Sequence, residues 1–207
     1  MNIIGNLNKM NSLTVFVLFT SCVGIGFAYI DMTQYVVLSI ILGALVSMFN
    51  TEYLRNSGLN EIEMEFAQQL NLVSEALLYG LLPSSLLLTI SKGSVLSLLV
   101  MALYMLATAI RLAHVHRPLH FQGDVKVGYT QGLSVESIGL IIPIAMLLGY
   151  LLPLSIYQYF HIIVMLGLAF GFIIDYPIPS LPQRYRIPIT ILLVGLSFIF
   201  LWFGSII

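Results

Sequence analysis

Apolar residues fill seven long runs along the chain, at 13–30, 33–50, 65–90, 95–115, 133–152, 154–174 and 187–207. Each approaches the roughly 20 residues that carry a helix across about 30 Å of hydrocarbon. The alternating ten-residue segments of a membrane barrel are absent, so each run is predicted to be a helix, which satisfies its own backbone in lipid. The pattern predicts an all-α, polytopic membrane bundle of about seven transmembrane helices, with residues 1–207 as a single integral membrane domain.

The third run breaks the pattern. It opens on Glu61, Glu63, Glu65, Gln68 and Gln69 and carries Asn71, Ser74 and Glu75 inward. Several of these recur at spacings of three and four, which gives one wet face on an otherwise apolar helix. Asn71 lies one helical turn before Glu75, so the two share that face. A carboxylate at such depth costs roughly 2.5–3.5 kcal/mol on insertion scales, and is by default a functional-site hypothesis. A polar stripe running from a loop into the membrane reads as one wall of a cavity.

Composition agrees. The 207 residues are 59% hydrophobic and 8% charged, against about 25% charged in a soluble domain. The net charge of -1 supplies no basic field for nucleic acid. Cys22 is the single cysteine, which rules out an internal disulfide; it reads as a small hydrophobe in an apolar helix. The first run follows Lys9, as in a signal peptide, but it is long and lacks a small-x-small cleavage site. It is read as a retained span.

Seven spans place the N-terminus and the loops after spans two, four and six on one side. Lys9, Arg55, Arg111, Arg117, Lys126, Arg184 and Arg186 fall there, and Lys92 alone falls opposite. The positive-inside rule makes that side cytoplasmic, and with it the N-terminus and the polar cavity.

Other polar positions admit two readings. Arg111 can pair with Glu75 or grip a phosphate or carboxylate, or it can snorkel to the interface. Glu136 reads as an ordinary interfacial charge. His114, His116 and His120 are loosely spaced for metal ligation but read better as solvated interfacial histidines. Glu61, Glu63 and Glu65 diverge on a helix, so a solvated helix start favoured by the helix dipole is preferred over a shared ion. Gly167 and Gly171 form a GxxxG pair, whose usual use is close helix packing. Tyr176-Pro-Ile-Pro signals a turn.

Four stretches occur in an order and spacing that cover nearly the whole chain: Leu70-Asn-Leu-Val-Ser-Glu-Ala-Leu-Leu-Tyr-Gly-Leu-Leu-Pro, Ala109-Ile-Arg-Leu-Ala-His, Tyr129-Thr-Gln-Gly-Leu and Ile174-Asp-Tyr-Pro-Ile-Pro. Together they resemble the CDP-alcohol phosphatidyltransferases, and within them the phosphatidylserine synthase branch. The resemblance implies a helical membrane enzyme, usually a homodimer, with a cytoplasm-facing cavity. It implies divalent ions, Mg2+ or Mn2+, on the pyrophosphate of a CDP-linked lipid such as CDP-diacylglycerol, and an alcohol that displaces CMP.

The family motif is D-x-x-D-G-x-x-A-R, then eight residues, then G-x-x-x-D-x-x-x-D. With its last acid on Glu75, a gapless count puts the third acid on Asn71, the second on Tyr53 and the first on Asn50. The motif arginine falls on Gly58, with Arg55 close by. Three of the four acids are therefore neutral, where two hard dications need several carboxylate oxygens. The resemblance marks Glu75 as the candidate base, Asn50, Asn71 and Glu75 as what remains of the metal ligands, and Asn50, Asn71, Arg55 and Arg111 as substrate contacts.

Three functions stand at this stage. The first is a degenerate family member without a cofactor, which binds membrane lipid or nucleotide or serves as a subunit or regulator of another membrane protein. The second is an active phosphatidyltransferase transferring a phosphatidyl group to serine or another alcohol, with Glu52, Glu61, Glu63 or Glu65 replacing lost ligands. The third is a small transporter or channel component.

Overall fold

A computed structural model describes residues 11–55, 60–116, 129–179 and 185–204. Lys9, Arg117, His120, Lys126 and Arg184 lie outside these. Of Glu52, Tyr53 and Arg55 only the helical backbone is described.

The described chain is helical throughout, apart from one short ribbon. Its helices are α1 (Ser12–Tyr29), α2 (Thr33–Arg55), α3 (Glu61–Glu75), α4 (Leu82–Ile90), α5 (Val95–Val115), α6 (Ile138–Tyr150), α7 (Leu154–Ile173) and α8 (Arg186–Gly204). A π-helical turn, Ala76–Leu81, joins α3 to α4 into one rod. Among the described residues, five segments are long and apolar enough to cross a membrane: Ser12–Tyr29, Thr33–Asn50, Glu61–Ile90, Val95–Val115 and Ile156–Ile173. The fifth and seventh expected spans form shorter apolar helices among the described residues, Val135–Tyr150 and Arg186–Trp202. Large apolar side chains such as Phe19, Leu99, Ile163, Phe170, Phe198 and Trp202 point outward, a belt suited to lipid and not to water.

The helix-only expectation missed the ribbon. β1 (Tyr129–Gln131) pairs antiparallel with β2 (Pro177–Pro179), Thr130 opposite Ile178. Prolines cannot donate to a ladder and tolerate only an edge position, and here the two strands are the whole sheet. The ribbon ties the chain entering α6 to the chain leaving α7, helped by Gly132 N–H donating to Tyr176 O at 2.8 Å and Leu133 N–H to Gly171 O at 2.8 Å. Gly132 has φ +73 and a Cβ there would sit 2.9 Å from Ile174 O, so only glycine fits without strain.

α2 is the central helix. Val36, Val37, Ile40, Ile41 and Ala44 are buried against its neighbours α1, α4, α6 and α8. Gly139 on α6 lies where a Cβ would come 2.4 Å from Ala44 Cβ. Two small residues thus let α2 and α6 approach closely, which is how helices associate where lipid removes the hydrophobic drive between them. Of the GxxxG pair, Gly171 abuts Leu133, whereas a Cβ at Gly167 meets nothing within 4 Å.

The α3–α4 rod starts and bends for local reasons. Asn60 caps it in a capping box: Asn60 Oδ1 accepts from Glu63 N–H at 2.9 Å, and Glu63 Oε2 accepts from Asn60 N–H at 3.3 Å. Glu65 Oε1 accepts from Gln69 Nε2 at 3.4 Å. The acidic opening is therefore spent on starting the helix. Further in, Pro83 has no N–H to give Tyr79 O, four residues back, and its ring crowds that turn. The chain widens into a π turn, in which Leu82 N–H donates to Leu77 O. Tyr104 Oη from α5 donates to the abandoned Tyr79 carbonyl at 2.5 Å. Both tyrosines are fully buried, so this bond satisfies an acceptor that water cannot reach.

Candidate functional site

The first turn of α1, the last turns of α2 and α5 and the upper half of α3 meet at one end of the bundle. One unbroken hydrogen-bond chain joins them. Asn50 Nδ2 donates to Thr14 Oγ1 at 2.9 Å and to Asn71 Oδ1 at 2.9 Å. Asn71 Nδ2 donates to Glu75 Oε1 at 2.8 Å, a bond that the one-turn spacing on α3 makes possible. His116 Nε2 lies 3.1 Å from Glu75 Oε2. Thr14, Asn50, Asn71 and Glu75 are all buried, so the chain runs from the interior out to a half-buried histidine.

Asn50 donates both ways, to Thr14 and to Asn71, and Asn71 passes its own amide hydrogen on to the Glu75 carboxylate. Asn71 and His116 hold the acid directly and Asn50 and Thr14 back Asn71, each satisfying another, since a buried polar group without a partner costs about 1–3 kcal/mol. The partner of Glu75 is His116, and not Arg111, which the sequence offered for that role.

Arg111 is buried, yet its guanidinium faces neutral groups. One terminal nitrogen donates to Gln131 O, the other to Gly132 O at 3.3 Å. Its Nε has no hydrogen-bond partner among the described residues. His114 Nε2 lies 3.0 Å from the Gln131 side-chain oxygen. The end of α5 thus holds the ribbon by Arg111 and His114 and holds α3 by His116.

Glu136 stands at the start of α6 with an exposed side chain, within electrostatic reach of both Glu75 and Arg186. Tyr79, one turn below Glu75, feels both acids. The sequence had set Glu136 aside as an interfacial charge; folding brings it within electrostatic reach of Glu75, and Gly139, one turn later, packs on Ala44 of α2.

The metal expectation can be tested against these contacts. A two-ion centre needs carboxylate oxygens free to face the ions. Here the hydrogen-bonded chain holds one carboxylate, and both its oxygens accept N–H donors. Asn71 Oδ1 accepts an amide hydrogen, and Asn50 Oδ1 alone is a buried acceptor without a partner among the described residues. Among the described residues no group of three His, Cys, Asp or Glu side chains could hold a metal ion. Asn50, Asn71 and Glu75 in this arrangement do not fit a pair of hard dications.

Sequence reasoning placed Asn50, Asn71 and Glu75 in one motif, and the fold links all three. It missed Thr14, a small residue common in apolar helices, and it read His116 as a solvated interfacial histidine, where the fold sets it beside Glu75. No family model matches the chain, and no curated protein matches it either.

Proposed function

We propose that this chain is a seven-span integral membrane protein that binds a phosphate-bearing lipid of the CDP-diacylglycerol kind at its cytoplasmic end. The scaffold is like that of the CDP-alcohol phosphatidyltransferases, but the two-metal centre is replaced by an amide–carboxylate chain. The observation that carries the reading is the Thr14–Asn50–Asn71–Glu75–His116 chain itself. A protein does not keep five polar groups in register at one end of an apolar bundle merely to cross a membrane. Support for a phosphate comes from Arg111, a buried cation whose described contacts are all neutral and whose Nε is unpaired. α2 ends on Arg55 and α8 begins on Arg186 at the same end, which the positive-inside rule assigns to the cytoplasm.

A second reading, an active transferase with a rearranged site, is favoured by Glu136, a second carboxylate near Glu75. The experiment is equilibrium binding of CDP-diacylglycerol to protein in nanodiscs, with magnesium or with EDTA. The proposed reading expects saturable binding that EDTA leaves intact and that soluble CDP competes away. Binding that appears only with magnesium would favour the metal-dependent transferase instead. Absence of binding in both conditions would overturn the lipid reading. A partner co-purifying in fixed proportion would direct the same site toward a subunit role.

A further inference from the structure

We propose that the other end of the bundle holds a site for a soft monovalent metal ion, Cu(I), built from His161 with the thioethers of Met146 and Met165. The site is independent of the lipid-binding reading and uses none of the polar chain around Glu75.

His161 lies inside the membrane-length segment Ile156–Ile173 and is 5% exposed. A histidine at that depth is by default a functional-site hypothesis. Its Nδ1 stands 2.8 Å from Tyr157 O. A carbonyl only accepts, so Nδ1 carries the hydrogen and the lone pair sits on Nε2. That Nε2 is buried and has no hydrogen-bond partner among the described residues. A backbone carbonyl that fixes the tautomer and leaves the other nitrogen open is the usual support of a metal-bound imidazole.

The fold holds the ring in place. Gly149 of α6 presents bare backbone to it: a Cβ there would come 2.5 Å from His161 Cε1 and 2.8 Å from Tyr157 Cε2. Tyr157 and Phe160 stand edge-on to the imidazole, with ring centroids 4.6 Å and 5.3 Å away.

α6 and α7 are consecutive helices that pack against each other in opposite directions. Gly149 faces Tyr157 and His161, so Met146, one turn back along α6, comes level with the turn from His161 to Met165 on α7. Both methionines are buried. Tyr157 Oη donates to Met146 Sδ at 3.6 Å, which brings that sulfur to the same ring that packs on His161. Methionines also fill cores without binding anything. What sets this group apart is the orphaned imidazole nitrogen beside them.

The donors select the ion. None of these side chains carries a negative charge, so a hard dication would enter with nothing to offset its burial. Thioether and imidazole together suit Cu(I), which brings a single charge and favours soft ligands.

Cys22 is exposed and would take Cu(I) itself, so the test uses the full chain with Cys22→Ala, in nanodiscs. Cu(I) is titrated against the chelator bathocuproine disulfonate. The chain should hold an equimolar amount of Cu(I), and Zn(II) should not displace it. X-ray absorption at the copper edge should show both sulfur and imidazole nitrogen as ligands. His161→Ala should weaken binding by more than the roughly 10–100-fold that loss of a mere supporting partner costs. Met146→Leu and Met165→Leu keep the core volume; each should weaken binding and reduce the sulfur signal while far-UV circular dichroism stays native. Cu(I) should raise the unfolding temperature of the Cys22→Ala chain and leave that of its His161→Ala variant unchanged. A chain that holds no Cu(I) overturns the proposal. So does Cu(I) binding that survives both His161→Ala and Met146→Leu, or a copper site without sulfur. Each of these results leaves the lipid-binding reading as it was, and loss of lipid binding leaves this one.

Discussion

Glu75 and His116 are 41 residues apart in the chain and 3.1 Å apart in the fold. The pair joins the last turn of α3 to the end of α5 in an ion-pair geometry. Three further buried polar side chains stand behind it. Asn71 serves the other carboxylate oxygen, Asn50 serves Asn71, and Thr14 receives the second amide hydrogen of Asn50.

Asn71→Ala should be among the more damaging small changes in α3. It strips Glu75 Oε1 of its donor and one Asn50 amide hydrogen of its acceptor, both buried. Each orphan costs about 1–3 kcal/mol, so a loss of about 2 kcal/mol or more is expected. Denaturant-driven unfolding in mixed micelles, followed by far-UV circular dichroism, measures it. A change under about 0.5 kcal/mol would show the chain to be energetically idle.

The Asn50–Asn71 bond can be isolated by a double-mutant cycle on Asn50→Leu and Asn71→Leu. Interhelical hydrogen bonds in membranes average about 0.6 kcal/mol and reach about 1.7. A coupling in that range is expected. Full additivity would mean that the two amides do not interact across α2 and α3.

Tyr104→Phe should destabilise the protein by about 1–3 kcal/mol, because the buried Tyr79 carbonyl loses its donor. Pro83→Ala in that background should recover much of the loss. It returns an N–H to the same carbonyl and removes the ring that widens the turn. The same unfolding measurement decides; a Pro83→Ala change that adds to the damage would refute this account of the π turn.

Gly139→Val should separate α2 from α6, since its Cβ would meet Ala44 Cβ at 2.4 Å. Overpacking typically costs about 1–3 kcal/mol. Ala44→Gly should offset part of the milder Gly139→Ala. If the two changes are independent in thermal unfolding, the helices do not meet at that point.

Much of this architecture was legible because lipid makes polar residues conspicuous. Asn71 and Glu75 stood out as a pair inside an apolar run, and Asn50 entered by its place in a motif. What the sequence hid was direction in space. His116 is polar and near a helix end, so in one dimension it looks like any interfacial histidine. Glu136 looked interfacial for the same reason, and its electrostatic reach to Glu75 comes from folding. The acids at Glu61, Glu63 and Glu65 were read as a helix start, and Glu63 indeed closes a capping box with Asn60. Pro83 passed as part of an unbroken apolar run, and its consequence depended on Tyr104, 21 residues further along the chain, supplying a hydroxyl. The ribbon was invisible because a strand of Pro-Ile-Pro carries no strand signal of its own.

The π turn has a consequence for how the α3–α4 rod can vary. It contains one residue more than an α-helix of the same rise would need, so every side chain of α4 sits about 100° around the axis from where an unbroken helix would put it. The polar face above the turn and the packing face below it are therefore set independently, like two dials on one shaft. Deleting a single residue between Ala76 and Leu81 would not shorten the rod so much as re-aim Glu75 relative to everything that α4 holds in place.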